Sequence, residues 1–116
     1  MEGGPIHRKS YNFAVRIIRL GRHLQENYRE FILSKQVLRS GTAIGALVSE
    51  SKYAQSRADF VHKLQIALKE ANETHYWLRL LHDTDYLDKK SFESIERDNL
   101  ELIRLLTSII NTSKKE

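Results

Sequence analysis

Hydrophobic residues recur along most of the chain at intervals of three and four, the spacing that places them on one face of an α-helix. Four such stripes follow one another, and we find no alternating strand pattern. They predict helices over residues 10–27 and 34–54, a third of about 25 residues beginning after Ser56, and a fourth beginning after Asp88. The predicted core positions are Phe13, Ile17, Leu20, Leu24, Val37, Gly41, Ile44, Val48, Phe60, Leu64, Ala67, Ala71, Thr74, Leu78, Leu81, Phe92, Ile95, Asn99, Leu102, Leu106 and Ile109.

Helix-capping residues stand at the starts of these stripes. Ser10, Ser34 and Asp88 are suitable N-caps, and Ser56 with Asp59 fits the capping-box pattern. Four amphipathic helices with short connections predict an all-α, antiparallel up-down-up-down four-helix bundle. The bundle is expected over residues 10–112, with a flexible N-terminal arm over residues 1–9 and a frayed tail over residues 113–116.

The middle of the second helix consists of small residues and includes Gly41 and Gly45. Each glycine inside a helix costs about 1 kcal/mol relative to alanine. Since the two glycines lie four residues apart, they share a face. This smooth ridge predicts the close approach of a neighbouring helix.

Composition narrows the class of protein. A chain of 116 residues forms one domain, and the absence of cysteine excludes disulfides and thiolate metal sites. No apolar run approaches the roughly 20 residues that cross a bilayer. The first residues contain no hydrophobic segment, so we expect no secretory signal there. These features predict a cytoplasmic protein without a membrane partner.

The net charge of +4 is concentrated at the N-terminus. Residues 1–25 carry five basic side chains against one acidic, whereas residues 26–116 carry 14 of each sign. A localised positive field attracts phosphate. The predicted nucleic-acid-binding residues are Arg8, Lys9, Arg16, Arg19 and Arg22.

Arg16, Arg19 and Arg22 are expected to share one helix face. The alternative is a solvated face, or arginines paired with Asp98 or Glu101 of a neighbouring helix. No aromatic residue is interleaved among these arginines, so any binding is expected to be directed at the nucleic-acid backbone.

The second and third helices carry a family resemblance. The segment from Gln36 to Glu50 resembles a motif of the four-helix-bundle proteins associated with intervening sequences of bacterial large-subunit ribosomal RNA genes. The matching residues there are Gln36, Leu38, Arg39, Ser40, Gly41, Ile44, Gly45, Ala46 and Glu50. The third helix matches at Asp59-Phe60, Leu64, Ile66-Ala67, Lys69-Glu70-Ala71, Glu73-Thr74 and Tyr76-Trp77-Leu78, and Asp85-Tyr86-Leu87 follows. Leu47 departs from the motif, which has asparagine there.

The resemblance covers roughly residues 10–112 and implies a bundle that assembles with copies of itself. The family is similar to accessory proteins of diversity-generating retroelements, which form pentameric barrels and bind nucleic acid and a reverse transcriptase. A homopentamer is therefore the favoured assembly. The resemblance implies no enzymatic activity.

Acidic residues on the third helix have two possible roles. Glu70, Glu73 and His75 lack the Glu-x-x-His spacing of bundle metal sites, so we predict no metal and no cofactor. Instead, Arg39, Glu50, Glu70 and Glu73 are expected to form a polar network that sets helix register or an oligomer interface.

A second apolar line on the third helix comprises Ile66, Tyr76, Trp77 and Leu80. We predict that it forms the oligomer interface, since adjacent tryptophan and tyrosine are common interface anchors. The alternative is a wider core within one bundle.

These features together predict a non-enzymatic module that binds RNA or DNA. No nucleophile motif and no glycine-rich phosphate loop is present. The alternative function is a protein–protein adaptor or scaffold that docks an acidic partner through the basic face.

Overall fold

Four helices account for nearly all of the structure, a computed structural model that describes residues 4–115. They are α1 (Pro5–Tyr28), α2 (Leu33–Ser51), α3 (Arg57–Asp83) and α4 (Lys89–Lys115). No strand occurs within the described residues. The molecule measures 46 × 21 × 20 Å, so the helices run along its length. The all-α class and the four helices are thus confirmed.

The core consists of the stripes that the sequence predicts. Most predicted positions are buried, and the largest fully enclosed side chains come from all four helices. These are Phe13, Ile17, Leu24, Val37, Ile44, Val48, Leu64, Leu78, Leu81, Asn99, Leu102 and Leu106. Each helix packs against the helices next to it along the chain, and α1 also contacts α4 less extensively. This packing is consistent with a bundle.

The glycine ridge of α2 receives α1, as the sequence predicts. A Cβ built on Gly41 would lie 2.7 Å from Cγ1 of Ile17, and one built on Gly45 would lie 3.1 Å from the carbonyl oxygen of Ser10. α1 also has a glycine at the contact, Gly21. A Cβ built on it would lie 2.6 Å from Cγ of Leu38. The two helices therefore approach so closely that a side chain at Gly21 or Gly41 would force a neighbouring side chain to shift.

The first helix begins five residues before the predicted Ser10. Pro5 occupies its first turn, where the fixed φ of proline suits a helix and its missing N–H is not needed. Ser10 is buried inside the helix, and its hydroxyl donates to the carbonyl of His7 over 3.2 Å. Residues 5–9 of the expected arm are therefore helical. Residues 1–3 lie outside the described part of the chain.

Of the N-caps predicted for the other three helices, the structure confirms those of α3 and α4. The Ser56 hydroxyl accepts a hydrogen bond from the Asp59 N–H at 3.1 Å, and the Asp88 carboxylate accepts one from the Ser91 N–H at 2.7 Å, so both predicted caps are confirmed. Ser34 is not the cap of α2. α4 continues to Lys115, so residues 113–115 of the expected tail are helical, and residue 116 lies outside the described range.

The Glu30 carboxylate takes the place of the predicted cap on α2. It accepts hydrogen bonds from the N–H groups of Leu33 at 2.9 Å, Ser34 at 2.7 Å and Ile32 at 3.2 Å. Burial alone would raise the pKa of Glu30, but these N–H donors outweigh it and lower the pKa below its ordinary value. Glu30 thus satisfies N–H groups that the first turn of a helix leaves without partners.

Candidate nucleic-acid interface

The basic residues predicted on α1 divide into two sets. Lys9 and Arg16 turn toward α4, where Nζ of Lys9 lies 2.8 Å from Oε2 of Glu101 and Nη1 of Arg16 lies 2.7 Å from Oδ2 of Asp98. Arg16 also donates to the hydroxyl of Ser94 at 3.1 Å and to its carbonyl at 3.3 Å. For Lys9 and Arg16 the structure therefore shows the alternative, pairing with acids of a neighbouring helix.

Helical geometry explains why Arg16 separates from the other two arginines. Successive residues turn by about 100°, so a step of three residues turns about 60° backward and places Arg16 and Arg22 about 120° apart. Arg16 contacts α4, whereas Arg22 is exposed and makes no hydrogen bond or ion pair with the described residues. The expectation that Arg16, Arg19 and Arg22 share one face is wrong for this geometric reason.

Arg8, Arg19 and Arg22 form the second set, which we name the outward arginines. All three side chains are exposed, and within residues 4–115 none makes a hydrogen bond or ion pair. Arg8 and Arg19 lie about three helical turns apart and so share a face. The set extends over roughly 21 Å of the helix, with Glu26 as the next charged residue on the same side. It presents three uncompensated guanidinium groups to solvent.

A cleft of about 630 Å³ lies where the end of α1 meets the α3–α4 connection. We name it the Tyr28 cleft. Its aromatic rings touch: the centroids of Tyr28 and Tyr86 are 5.3 Å apart and those of His23 and Tyr28 are 5.7 Å apart, both edge to face. Arg19 also lines it. The fold therefore brings aromatic rings to the basic helix, although the sequence of α1 shows none interleaved among its arginines.

Basic residues of α4 extend the charged surface beyond α1. Lys90 and Arg97 line a groove of about 440 Å³ together with Ser94, the residue that binds Arg16. Both lie within residues 26–116, where basic and acidic side chains are equal in number, so net charge alone did not indicate them as candidate binding residues. Their spacing of seven residues places them on one helix face and could have indicated this surface.

Acidic groups limit where phosphate can bind. Asp98 and Glu101 neutralise part of the junction between α1 and α4, and Glu93 lies in the groove with Arg97. At the Tyr28 cleft, a backbone hydrogen bond from the N–H of Ser91 lowers the pKa of Asp88, so the hydrogen bond favours the charged carboxylate. The junction is thus of mixed charge, whereas no acid among the described residues forms an ion pair with the outward arginines.

The predicted polar network is partly assembled on the outer surface of α2 and α3. Nη1 of Arg39 lies 3.3 Å from Oε1 of Glu70, and its Nη2 contacts the Glu73 carboxylate. The indole N–H of Trp77 donates to Glu73 at 3.0 Å. Hydrogen bonds from Trp77 and Arg39 lower the pKa of Glu73. We name these four residues the Arg39 network.

Glu50 does not join the network. Its carboxylate lies 3.9 Å from Nζ of Lys63, near the other end of α2. Glu50 stands eleven residues after Arg39, which is about three turns or roughly 16 Å along the helix. This separation accounts for its absence from the network.

Comparison with known proteins gives the family. A sequence model of the 23S rRNA-intervening sequence protein matches residues 5–108. The chain belongs to this family. The resemblance found in the second and third helices is therefore confirmed. No curated protein matches this chain.

A solved structure supports the same assignment for this intervening-sequence protein. It is a protein of unknown function from the S23 ribosomal protein family of Bacteroides thetaiotaomicron, 55% identical. The match covers 90% of this chain and 97% of that one, with a TM-score of 0.90. Neither comparison indicates a catalytic activity.

The apolar line on α3 of this family member is half-exposed. Tyr76 is 52% exposed, and its ring meets that of Trp77 edge to face with centroids 5.0 Å apart. Trp77 packs against the core, and Ile66 and Leu80 are half-buried. The line thus combines core contact through Trp77 with a surface available around Tyr76.

Among the described residues, no three histidine or acidic side chains are grouped so that they could hold a metal ion. No described helix combines the length and hydrophobicity needed to cross a membrane.

Proposed function

We propose that this protein is a non-enzymatic module that binds the phosphate backbone of RNA or DNA through Arg8, Arg19 and Arg22. The observation that carries the proposal is the set of outward arginines, which are exposed on one side of α1 and have no hydrogen-bond or ion-pair partner among residues 4–115. They are three of the five basic residues within residues 1–25, the segment that accounts for the whole net charge of +4. Charge left uncompensated on a helix surface is available for an anionic partner.

The chemistry of arginine suits this role. A guanidinium group donates several hydrogen bonds in a planar arrangement that matches a phosphate. Each phosphate contact also releases condensed counterions, which makes affinity fall with salt. Contacts of this kind position a protein without reading sequence. We therefore expect weak sequence preference, with Lys9 and Arg16 contributing less because α4 acids already pair with them.

We further propose an antiparallel bundle that assembles as a homo-oligomer, with a pentamer favoured. The pairs formed by Gly41 with Ile17 and by Gly45 with Ser10 support opposite directions for α1 and α2, since one residue number rises as the other falls. The proposed interface is the apolar line Ile66, Tyr76, Trp77 and Leu80. Assembly would place several copies of the outward arginines on one particle and raise its avidity for a long polyanion.

Fluorescence anisotropy with mixed-sequence RNA and DNA over a range of salt tests the proposed binding. The test variant combines Arg8→Gln, Arg19→Gln and Arg22→Gln. The control removes the same charge elsewhere by changing Lys35, Arg79 and Lys115 to Gln, all exposed residues of other helices. We expect the test variant to lose about tenfold or more in affinity and to reduce the salt slope by about three.

Two outcomes would overturn the proposal. Equal loss in the test and control variants would show that only net charge matters. Absence of binding to either polymer by the unchanged protein, at low salt, would favour the alternative function as an adaptor for an acidic protein. Light scattering on the same samples measures the number of subunits.

A further inference from the structure

We infer that the Tyr28 cleft holds a single unpaired nucleotide, with its base against Tyr28 and its phosphate on Arg19. The inference rests on the proposed function and adds a ligand class to it: a nucleotide with a free base, as in single strands, bulges and ends. Three observations carry it, namely the size of the cleft, its aromatic wall and the arrangement of its charges.

The size of the cleft fits a small ligand. Its volume of about 630 Å³ lies within the range of roughly 300–1,000 Å³ that is usual for ligand pockets. Leu20 and Ile95 supply apolar wall, whereas Ser91 supplies a hydroxyl. Because polar and apolar side chains share its lining, the cleft suits a small amphipathic ligand.

The aromatic wall offers a surface on which a base can stack. Tyr28 is 50% exposed, although its ring also meets Tyr86 edge to face. The Tyr28 ring contacts both His23 and Tyr86, which reduces the freedom that it would lose when a base stacks on it. Proteins that bind single strands combine this kind of platform with a basic groove, and any of the bases can use it.

The charges favour a ligand with one phosphate, because Arg16, the second arginine of the lining, already pairs with Asp98. Arg19 belongs both to the outward arginines and to the lining of the cleft, so it lies where a backbone on α1 would continue into the cleft. Asp85 and Asp88 line the other side. Their carboxylates repel a second phosphate but can accept hydrogen bonds from the amino groups of a base. A nucleotide therefore fits in one orientation, phosphate toward α1 and base toward the α3–α4 connection.

Duplexes cannot use this cleft, because their bases are stacked and paired inside the helix. The inference therefore predicts that single strands bind more tightly than duplexes of the same sequence. Binding through the outward arginines alone predicts no such preference, since both polymers present phosphates.

The experiment compares a labelled strand of about 12 nucleotides with the duplex that it forms with its complement. The test variant is Tyr28→Leu, which removes the ring from a half-exposed position. Tyr28→Phe keeps the ring, and Tyr53→Leu is the matched control, since Tyr53 is 79% exposed in the α2–α3 connection outside the cleft. Circular dichroism verifies that each variant is folded.

We expect Tyr28→Leu to weaken single-strand binding about tenfold and to leave duplex binding unchanged. Tyr28→Phe and Tyr53→Leu should keep the affinity of the unchanged protein. Adenosine 5′-monophosphate should compete for the strand only in proteins that retain the Tyr28 ring, which would place a free nucleotide in the same cleft.

The outcomes separate this inference from the proposed function. Equal binding of single strand and duplex, unaffected by Tyr28→Leu but lost when the outward arginines are changed, overturns the cleft and leaves the proposed function standing. Loss of affinity by Tyr28→Leu for both polymers also overturns it, since a base-stacking role cannot affect a duplex. If the unchanged protein binds neither single strand nor duplex, both the inference about the cleft and the proposed function are overturned.

Discussion

Gly41 of α2 leaves room for Ile17 of α1, since a Cβ built on Gly41 would lie 2.7 Å from Cγ1 and 2.8 Å from Cγ2 of that isoleucine. Both atoms are attached directly to the β-branched carbon, whose rotation is restricted in a helix. The isoleucine therefore cannot turn aside as the end of a long side chain would. The contact fixes how closely α1 and α2 approach.

Replacing Gly41 by alanine should consequently destabilise the protein. Overpacking a core typically costs about 1–3 kcal/mol, whereas alanine gains about 1 kcal/mol in helix propensity over glycine. We expect Gly41→Ala to lower the free energy of unfolding by about 1 kcal/mol, as measured by denaturant titration.

The matched background for this change is Ile17→Ala, which removes both conflicting atoms. In that background Gly41→Ala should be neutral or stabilising, because only its helix propensity remains. The same loss in both backgrounds would show that Ile17 is not what the glycine accommodates.

Glu30 should make the stability of α2 depend on pH. Its pKa is below the ordinary value, because N–H donors from Leu33, Ser34 and Ile32 outweigh the effect of burial. A group whose pKa is lowered by folding stabilises the protein above its unfolded value, near 4.5, and loses that contribution as pH falls through the folded value. Glu30→Ala should therefore cost about 0.5–2 kcal/mol at neutral pH.

The difference between Glu30→Ala and the unchanged protein should shrink as the pH is lowered below about 4.5. Thermal unfolding measured from neutral to acidic pH tests this. Glu26→Ala is the control, since Glu26 is an exposed acid near the same end of the bundle. A difference that stays constant with pH would assign the effect of Glu30→Ala to packing.

Periodicity predicted the four helices because burial of one face dominates helix stability and leaves a strong repeat in the sequence. Helix ends were predicted less well. Serine is a common capping residue, but neither Ser10 nor Ser34 caps its helix. α1 begins at Pro5, before Ser10, and Glu30, which precedes α2, accepts the hydrogen bonds expected of a cap at Ser34. Such competition between caps depends on the path of the connecting chain, which periodicity does not contain.

For the candidate interface, too, the sequence predicted some features and missed others. Net charge located the basic helix, but the pairing of Arg16 with Asp98 depends on the position of α4. Tyr86 joins Tyr28 only because the α3–α4 connection returns to the end of α1. Contacts between distant parts of the chain therefore determined the site more than local sequence did.

We expect the buried Asn99 to lower the free energy of unfolding of the protein. It is fully buried, and its amide donates to the carbonyl of Ala71 over 3.2 Å, while its Oδ1 makes no hydrogen bond with the described residues. A buried acceptor without a partner costs about 1–3 kcal/mol. Asn99→Leu, of similar size, should raise the free energy of unfolding by about 1 kcal/mol.

Asn99→Asp provides the contrasting variant, since it places a carboxylate at the same buried position and should destabilise the protein strongly. Denaturant titration of both variants measures the effect. A loss of stability in Asn99→Leu would mean that the amide contributes more through Ala71 than its unpaired oxygen costs.

The Arg39 network should affect both stability and assembly if it sets the register of α2 on α3. Arg39 has a side chain 51% exposed, so its ion pairs with Glu70 and Glu73 are worth at most about 1 kcal/mol within one chain. We expect Arg39→Met to lower the free energy of unfolding by about that amount and to reduce the oligomer mass seen by light scattering. The second effect follows because Trp77 donates to the same Glu73 and belongs to the proposed interface.

Trp77 is the only tryptophan in the chain, so its fluorescence reports on the network directly. Arg39→Met frees Glu73 to move, and the emission of Trp77 should shift. Glu50→Gln is the control, because Glu50 pairs with Lys63 outside the network and should leave the emission unchanged. If Arg39→Met alters neither thermal stability nor oligomer mass, the contacts of Arg39 are incidental to register, and the interface must depend on the apolar residues of α3 alone.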